Sequence, residues 1–299
     1  MAKEVLKTHD LDFCSRPDQR VTRRLSYNSI DVAFSPYNDY WREMRKLCVV
    51  HLFGRLQQYR HIREDEVARL MEKICRLSGD SKPVNLSKAM MCLSSTIICR
   101  VGFGERYDEE GAERSRFHGL LNETEALLSS FCFSDYFPLM GWVDRLTGFH
   151  NRLEKNFKEH DTFYQELIDK HLDPNRPKPA QEDIIDVLLQ ISKDDDFPFD
   201  LTIDHIKAIL MNMLVGGTET SAATVTWVMS FLMKNPKRTC PGMRMGVATV
   251  ELALANLLYK FDWEMPPGMN VEDLDLDALP GIAIHKKNDL ILVARKIED

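Results

Sequence analysis

The chain has 299 residues, enough for one large domain or two small ones. Hydrophobic residues make up 44% and charged residues 28%, which excludes a disordered chain, a collagen-like fibre and a disulfide-rich miniprotein. The net charge of −7 disfavours a dedicated nucleic-acid-binding protein, because contacts with phosphates need a basic surface.

Helical periodicity covers most of the chain, so we predict a mainly α fold. Amphipathic or apolar helices are predicted at 39–53, 61–77, 86–99, 113–131, 153–172, 183–192 and 241–259. The Pro-rich stretch 173–179 is the best linker candidate. Near the C-terminus, 281–285 and 290–294 flank the polar residues 286–289, which predicts one small β hairpin.

The long apolar run 208–233 contains one charged residue, Glu219. A spanning helix needs about 20 apolar residues, but an acid at its centre costs about 3 kcal/mol on insertion scales. This favours the core helix of a soluble domain, with a single-span membrane helix as the alternative. Residues 216–221 (GGTETS) place two glycines, an acid and three hydroxyl groups inside an apolar helix, where these residue types are unfavourable. They predict either a groove in which Glu219 and Thr220 handle protons or a close helix crossing.

Cys240 stands apart from the six other cysteines, which we expect to be core thiols of a reducing compartment. Pro241 follows it and can occupy the first position of a helix, where amide donors and the helix dipole favour a thiolate. Gly242 would let a flat ligand approach the backbone. Alone, the motif also fits a buried cysteine beside a Pro-Gly turn.

Trp41 and Arg45 are four residues apart and share one helix face. An Arg beside a Trp suits an anionic group such as a carboxylate, although the pattern alone also fits an ordinary amphipathic helix. Together, a thiolate, a proton-handling groove and a carboxylate clamp are what a haem-thiolate oxygenase needs.

With these motifs, the chain resembles the cytochrome P-450 family, in particular its plant microsomal group. Further likeness lies in the segments 10–13 (DLDF) with 16–17 (RP), 43–46 (EMRK), 172–177 (LDPNRP) and 256–263 (NLLYKFDW). These segments are similar to the branch whose members oxidise amino-acid-derived aldoximes.

The resemblance implies a haem-thiolate monooxygenase that inserts one atom of O2 into a small apolar substrate, such as an aldoxime or another plant specialised metabolite. It also implies haem b as cofactor, electrons from NADPH through a reductase, and the cytosolic face of the endoplasmic reticulum membrane as location. The matching residues are Cys240 for the axial thiolate, Arg238 for the haem-loop arginine, Gly217, Glu219, Thr220 and Ser221 for the oxygen-activation motif, and Trp41 with Arg45 for the propionate site. In that motif, Glu219 is the acid and Thr220 the proton-relay hydroxyl.

Compared with the family, we expect two segments to be absent from this sequence. The membrane anchor and Pro-rich hinge would precede the position of Met1, and the K helix, its Glu-x-x-Arg pair and the following meander would lie between Lys237 and Arg238. We therefore expect one incomplete domain, in which 1–237 carry the C and oxygen-binding helices and 238–299 carry the haem-ligand loop, the L helix and the hairpin. A catalytically inactive truncated isoform or fragment is the alternative function.

Overall fold

The computed structural model describes residues 3–55, 57–80, 82–106, 112–177, 179, 181–194, 197–234, 248–279 and 284–297. The helices are α1 (Asp10–Phe13), α2 (Arg20–Leu25), α3 (Asp39–Leu47), α4 (Arg60–Gly79), α5 (Leu86–Phe103), α6 (Ala112–Leu128), α7 (Phe133–Tyr136), α8 (Gly141–Leu146), α9 (Phe149–Leu172), α10 (Ile184–Ile191), α11 (Ile203–Lys234) and α12 (Ala248–Lys260). The strands are β1 (Pro83–Asn85), β2 (Phe261–Glu264), β3 (Ala278–Leu279), β4 (His285–Lys286) and β5 (Ile291–Lys296). Helices therefore dominate, with small antiparallel sheets, as predicted.

The chain divides into two compact units. Unit 1 comprises Met1–Gln57, Gly102–Gly104 and Ala112–Val215, and unit 2 comprises Gln58–Val101, Glu105–Gly111 and Gly216–Asp299. The boundary predicted between Lys237 and Arg238 lies outside the described residues.

Helix α9 is the centre of unit 1, because one of its faces is buried along its whole length. The buried residues recur every three or four positions: Phe149, Leu153, Asn156, His160, Phe163, Tyr164, Leu167 and Ile168. This spacing puts them on one side of the helix, which packs against α2, α6, α8 and α10. Gly148, with φ +75°, supplies the left-handed turn that precedes α9.

Helix α10 begins at a capping box in unit 1. The Asp183 side chain accepts from the backbone N–H of Asp186, and the Asp186 side chain accepts from the backbone N–H of Asp183. Asp183 Oδ2 also accepts from Arg176 at 3.0 Å and lies 2.9 Å from Nε2 of His171. The Pro-rich stretch 173–179 therefore joins two helices within unit 1 and is not a linker between the units.

Strand β5 is the central strand of the three-stranded sheet in unit 2. It pairs with β2, where Trp263 lies opposite Ala294, and with β1 on its other side. Strand β4 pairs with β3 in a separate two-stranded sheet. Residues 281–283 of the predicted hairpin lie outside the described residues. Within the described part, 291–294 pair with β1 and β2, whereas His285 pairs with β3, which differs from the predicted pairing.

The core of unit 2 lies under this sheet. Buried apolar side chains come from α4, α5, the second half of α11, α12 and β5, and include Met71, Ile74, Met90, Val225 and Leu257. One described helix, α5, is long and apolar enough to cross a bilayer, and 56% of it is buried inside the protein. Core helices pass the same test. The alternative span 208–233 lies within α11, which does not meet that criterion in the described chain.

The six described cysteines are free thiols. Cys48, Cys99 and Cys132 are buried, whereas Cys14, Cys75 and Cys92 are half-buried, so three of the six predicted core thiols are only partly enclosed. Burial raises the pKa of the Cys48 thiol to about 12, which keeps it protonated and unreactive.

Candidate functional site

Helix α11 runs as one continuous α-helix through the glycine-containing motif. Gly217 lies against α5, and a Cβ atom there would be 2.5 Å from Cδ1 of Ile98, too close for two carbon atoms. At Gly216 a Cβ atom would meet nothing within 4 Å. Gly217 therefore allows the close helix crossing, which was one interpretation of the motif, whereas Gly216 lies on an open face.

This open face of α11 consists of small residues. Gly216, Thr220 and Thr224 are exposed and follow one another at four-residue spacing, which aligns them along the helix. The Thr220 hydroxyl donates to the Gly216 carbonyl at 2.6 Å, and the Thr224 hydroxyl donates to the Thr220 carbonyl at 2.8 Å. Each hydroxyl oxygen can still accept a hydrogen bond from an incoming donor.

Glu219 is only 5% exposed, and its carboxylate contacts a residue that the sequence analysis missed. Nε2 of His285, the first residue of β4, lies 2.6 Å from Oε2 of Glu219. The hydrogen bond to Glu219 raises the pKa of His285 above its ordinary value, although partial burial opposes the shift. The two residues are 66 positions apart, so no local sequence pattern could have paired them.

Trp41 and Arg45 lie side by side on α3, as predicted. The guanidinium carbon of Arg45 is 5.4 Å from the centre of the Trp41 ring, within the range of a cation–π contact. The indole N–H of Trp41 donates to the Val32 carbonyl at 2.9 Å. Arg45 is exposed and has no carboxylate partner among the described residues, so its guanidinium is available to an external anion.

The segment that receives the Trp41 hydrogen bond is itself fixed by Asn212 of α11, within unit 1. Oδ1 of Asn212 accepts from the backbone N–H groups of Val32 and Ala33, both at 3.1 Å, and its amide donates to Asp31 at 2.6 Å. Burial raises the pKa of the Asp31 carboxyl. Sequence analysis missed this cluster, because its members are about 180 positions apart.

The remaining predicted site residues, Arg238 and Cys240, lie outside the described residues. The structure thus brings Trp41 next to Arg45 on α3, whereas the consecutive residues Glu219 and Thr220 on α11 have a buried and an exposed side chain, respectively. Trp41 and Arg45 belong to unit 1, and Glu219 and Thr220 belong to unit 2.

Comparison with known proteins identifies the chain's relatives. The cytochrome P450 family model matches residues 1–237. The 5-OH-xanthotoxin synthase of Pastinaca sativa is 35% identical over 420 residues, an alignment that covers 99% of this chain and 82% of that protein. The chain belongs to the cytochrome P450 family. The 6,7,8-trihydroxycoumarin synthase of the same plant is 34% identical with the same coverage, so the resemblance to plant members is confirmed.

Solved structures agree on the fold. A zebra fish cytochrome P450 solved with abiraterone aligns with a TM-score of 0.73 at 16% identity, covering 99% of this chain and 91% of that one. At this identity the likeness concerns the fold alone, and it confirms the helical P450-like architecture.

The alignment lengths also show a gap. The alignment with the xanthotoxin-type relative extends over 420 positions, whereas this chain has 299 residues, so at least 121 of those positions (420 minus 299) are gaps in this chain. The family model ends its match at Lys237.

Family membership defines the functional class. Cytochromes P450 are haem-thiolate monooxygenases that incorporate one atom of O2 into a small organic substrate, with haem b as cofactor and NADPH-derived electrons from a reductase. The residues that the structure describes are compatible with bound haem. The Arg45 guanidinium is exposed and has no carboxylate partner in the part of the chain that the structure describes, so it suits a carboxylate such as a haem propionate.

Proposed function

We propose that this chain binds haem b with Cys240 as the axial thiolate. Arg45, supported by the Trp41 ring, binds a haem propionate, and Arg238 serves as the arginine of the haem-binding loop. The exposure of the Arg45 guanidinium supports the propionate role, because an Arg–carboxylate pair forms charge-assisted, directional hydrogen bonds. Since the Trp41 N–H already donates to Val32, Trp41 acts here through its ring face.

The observation that best supports an oxygenase is the arrangement on α11. A buried acid, Glu219, is followed directly by an exposed hydroxyl, Thr220, beside the open face at Gly216. Bound haem supplies the oxidising chemistry, in which the thiolate pushes electron density to the iron and favours O–O cleavage. The Thr220 hydroxyl would give up its proton from Oγ1, and the protonated Glu219 carboxyl group would replace that proton and become a carboxylate. Gly217 keeps α11 against α5, which fixes both groups in position.

Haem titration tests this proposal. Purified haem-free chain is titrated with haem, and the Soret band and bound stoichiometry are recorded for the wild type, Cys240→Ala and Arg45→Gln. Cys14→Ala is the matched control, because Cys14 is a half-buried free thiol that is distant from Cys240 in the sequence. We expect one haem per chain in the wild type and control, a changed Soret band in Cys240→Ala and weaker affinity in Arg45→Gln. Identical spectra for Cys240→Ala and the wild type would refute the ligand assignment.

The relatives' names bear on the substrate. They denote synthases of 5-OH-xanthotoxin and 6,7,8-trihydroxycoumarin, which are hydroxylated planar aromatic lactones. We propose a substrate of that class, hydroxylated on its ring, and keep an amino-acid-derived aldoxime as the second candidate. Ligand-induced spectral shifts of the haem-loaded chain distinguish them. A shift with a phenylacetaldoxime-type probe and none with coumarins would favour the aldoxime.

An exposed apolar patch in unit 1 supports a location at the cytosolic face of the endoplasmic reticulum membrane, where a membrane-bound NADPH-cytochrome reductase would deliver electrons. The patch comprises Phe131, Tyr136, Phe137, Leu139, Trp142 and Leu146, and Leu139 is 94% exposed. Aromatic and aliphatic side chains of this kind enter the bilayer interface. In a flotation assay with reticulum-like vesicles, Leu139→Glu should reduce binding, whereas Leu11→Glu, at an exposed leucine outside the patch, should not.

The gap in the alignments supports a second candidate, an inactive isoform. We place the missing segment at the junction after Lys237, where the family match ends. Five residues, 235–239, would then join α11 to Cys240, and an extended chain of that length spans only about 20 Å. A wild-type chain that takes up no haem would favour this candidate over the oxygenase.

A further inference from the structure

The contact between Glu219 and His285 leaves a buried acid paired with a residue that has partial access to solvent. The Glu219 side chain is 6% exposed and the His285 side chain is 25% exposed. A carboxylate at this depth is unfavourable unless it is hydrogen-bonded, and the 2.6 Å contact with the imidazole meets that need. The ring therefore connects the interior of unit 2 to its surface.

Strand β4 holds the imidazole in place. The indole N–H of Trp227, two turns further along α11, donates to the Ile284 carbonyl at 3.0 Å. Next to His285, the ammonium of Lys286 is directed to Asp275 at 3.0 Å, so it does not compete for Glu219. The pairing of Leu279 with His285 anchors the strand from the other side. Three contacts thus fix the position of the ring on α11.

We propose that His285 is the positioning residue of Glu219 and the route by which this acid exchanges protons with solvent. The proposal rests on the proposed function, in which Glu219 is the acid of the oxygen-activation motif. His285 holds the ionised carboxylate through Oε2 in one orientation, and once Oε2 has taken the proton the neutral acid can turn toward Thr220. Substrate chemistry remains with Glu219 and Thr220.

The proton exchange is balanced. The imidazolium donates the proton on Nε2 to Oε2 of Glu219, which leaves a neutral imidazole and a carboxylic acid. The neutral ring keeps its proton on Nδ1, so Nε2 is the nitrogen that takes up the next proton, which comes from hydronium in the solvent. Each acid proton consumed in the reaction is replaced in this way, and no other reactant is needed.

Histidine NMR tests the contact without haem. In chain labelled with 13C-histidine, the His285 ring signal is assigned by its loss in His285→Gln and titrated with pH in the wild type and in Glu219→Gln. We expect the His285 midpoint to be higher in the wild type than in Glu219→Gln. The signal of His61, an exposed helix-end histidine, is the control and should be the same in both proteins at each pH. Equal His285 midpoints in the two proteins would overturn the proposal.

Turnover of the haem-loaded chain tests the relay. His285→Gln should lower the product formed per NADPH consumed about tenfold and raise the solvent deuterium isotope effect, with KM unchanged, because proton delivery becomes limiting. His61→Gln should leave all three quantities unchanged. Unchanged turnover and isotope effect in His285→Gln would refute the relay. Absence of haem in the wild type would refute the proposed function, a failure that the NMR titration separates from loss of the contact.

Discussion

Alanine at Gly217 tests whether this glycine is present for helix packing. The added Cβ atom would lie 2.5 Å from Cδ1 and 2.9 Å from Cγ1 of Ile98, so the Ile98 side chain or the helix must move. Overpacking of this kind costs about 1–3 kcal/mol. Replacing glycine by alanine within a helix gains about 1 kcal/mol, so we expect Gly217→Ala to lose about 1 kcal/mol of unfolding free energy.

Gly216→Ala is the matched control. It makes the same change one position earlier in the same helix, where the new Cβ atom would meet nothing within 4 Å. It should therefore gain about 1 kcal/mol, which places the two variants about 2 kcal/mol apart.

Urea unfolding of the haem-free chain, followed by circular dichroism, measures this difference. Ile98→Ala removes both atoms that the new Cβ would meet, so Gly217→Ala should be neutral or stabilising in that background, which gives a coupling energy of about 2 kcal/mol. Equal stabilities of Gly216→Ala and Gly217→Ala would refute the packing role of Gly217.

Three further predictions concern buried polar groups. Asp183→Asn keeps an N-cap side chain but removes the charge that His171 and Arg176 share, so it should destabilise unit 1 by about 3 kcal/mol in urea; a loss below about 1 kcal/mol would contradict a stabilising role for the shared carboxylate. Burial lowers the pKa of His160 to about 4, so the wild type should lose stability as the pH falls from 6.5 toward 4, by up to about 3 kcal/mol, because the unfolded chain binds the proton first. In thermal melts, the melting temperature of His160→Gln should depend less on pH than that of the wild type. The same pH dependence in both proteins would contradict the role of His160. The buried Thr218 hydroxyl has no hydrogen-bond partner among the described residues, so Thr218→Val should leave the melting temperature unchanged or raised, and a marked fall would contradict this.

The helices could be predicted from the sequence, because helix formation depends on residues that are only three or four positions apart. The stripe on α9 repeats every three to four residues, and the apolar run that contains Glu219 is long enough to specify α11 without knowledge of its neighbours. Trp41 and Arg45 meet for the same reason, since four residues make about one helical turn.

Contacts between distant segments were not predictable. Strand β5 pairs with β2 rather than with the neighbouring β4, because strand pairing depends on which apolar faces meet in the folded core. The partners of Glu219 and Trp41, which are His285 and the Val32 carbonyl, are likewise set by the fold. No residue type or spacing in the sequence marks either one as a partner.

We expect this chain to bind haem through the Cys240 thiolate. The reduced-CO difference spectrum tests it most directly, because the Soret band of the ferrous CO complex reports the ligand on the other side of the iron. We predict the red-shifted band of a thiolate complex in the wild type and in Cys14→Ala, and its loss in Cys240→Ala. A wild-type chain without that band, or a Cys240→Ala variant that retains it, would contradict the claim.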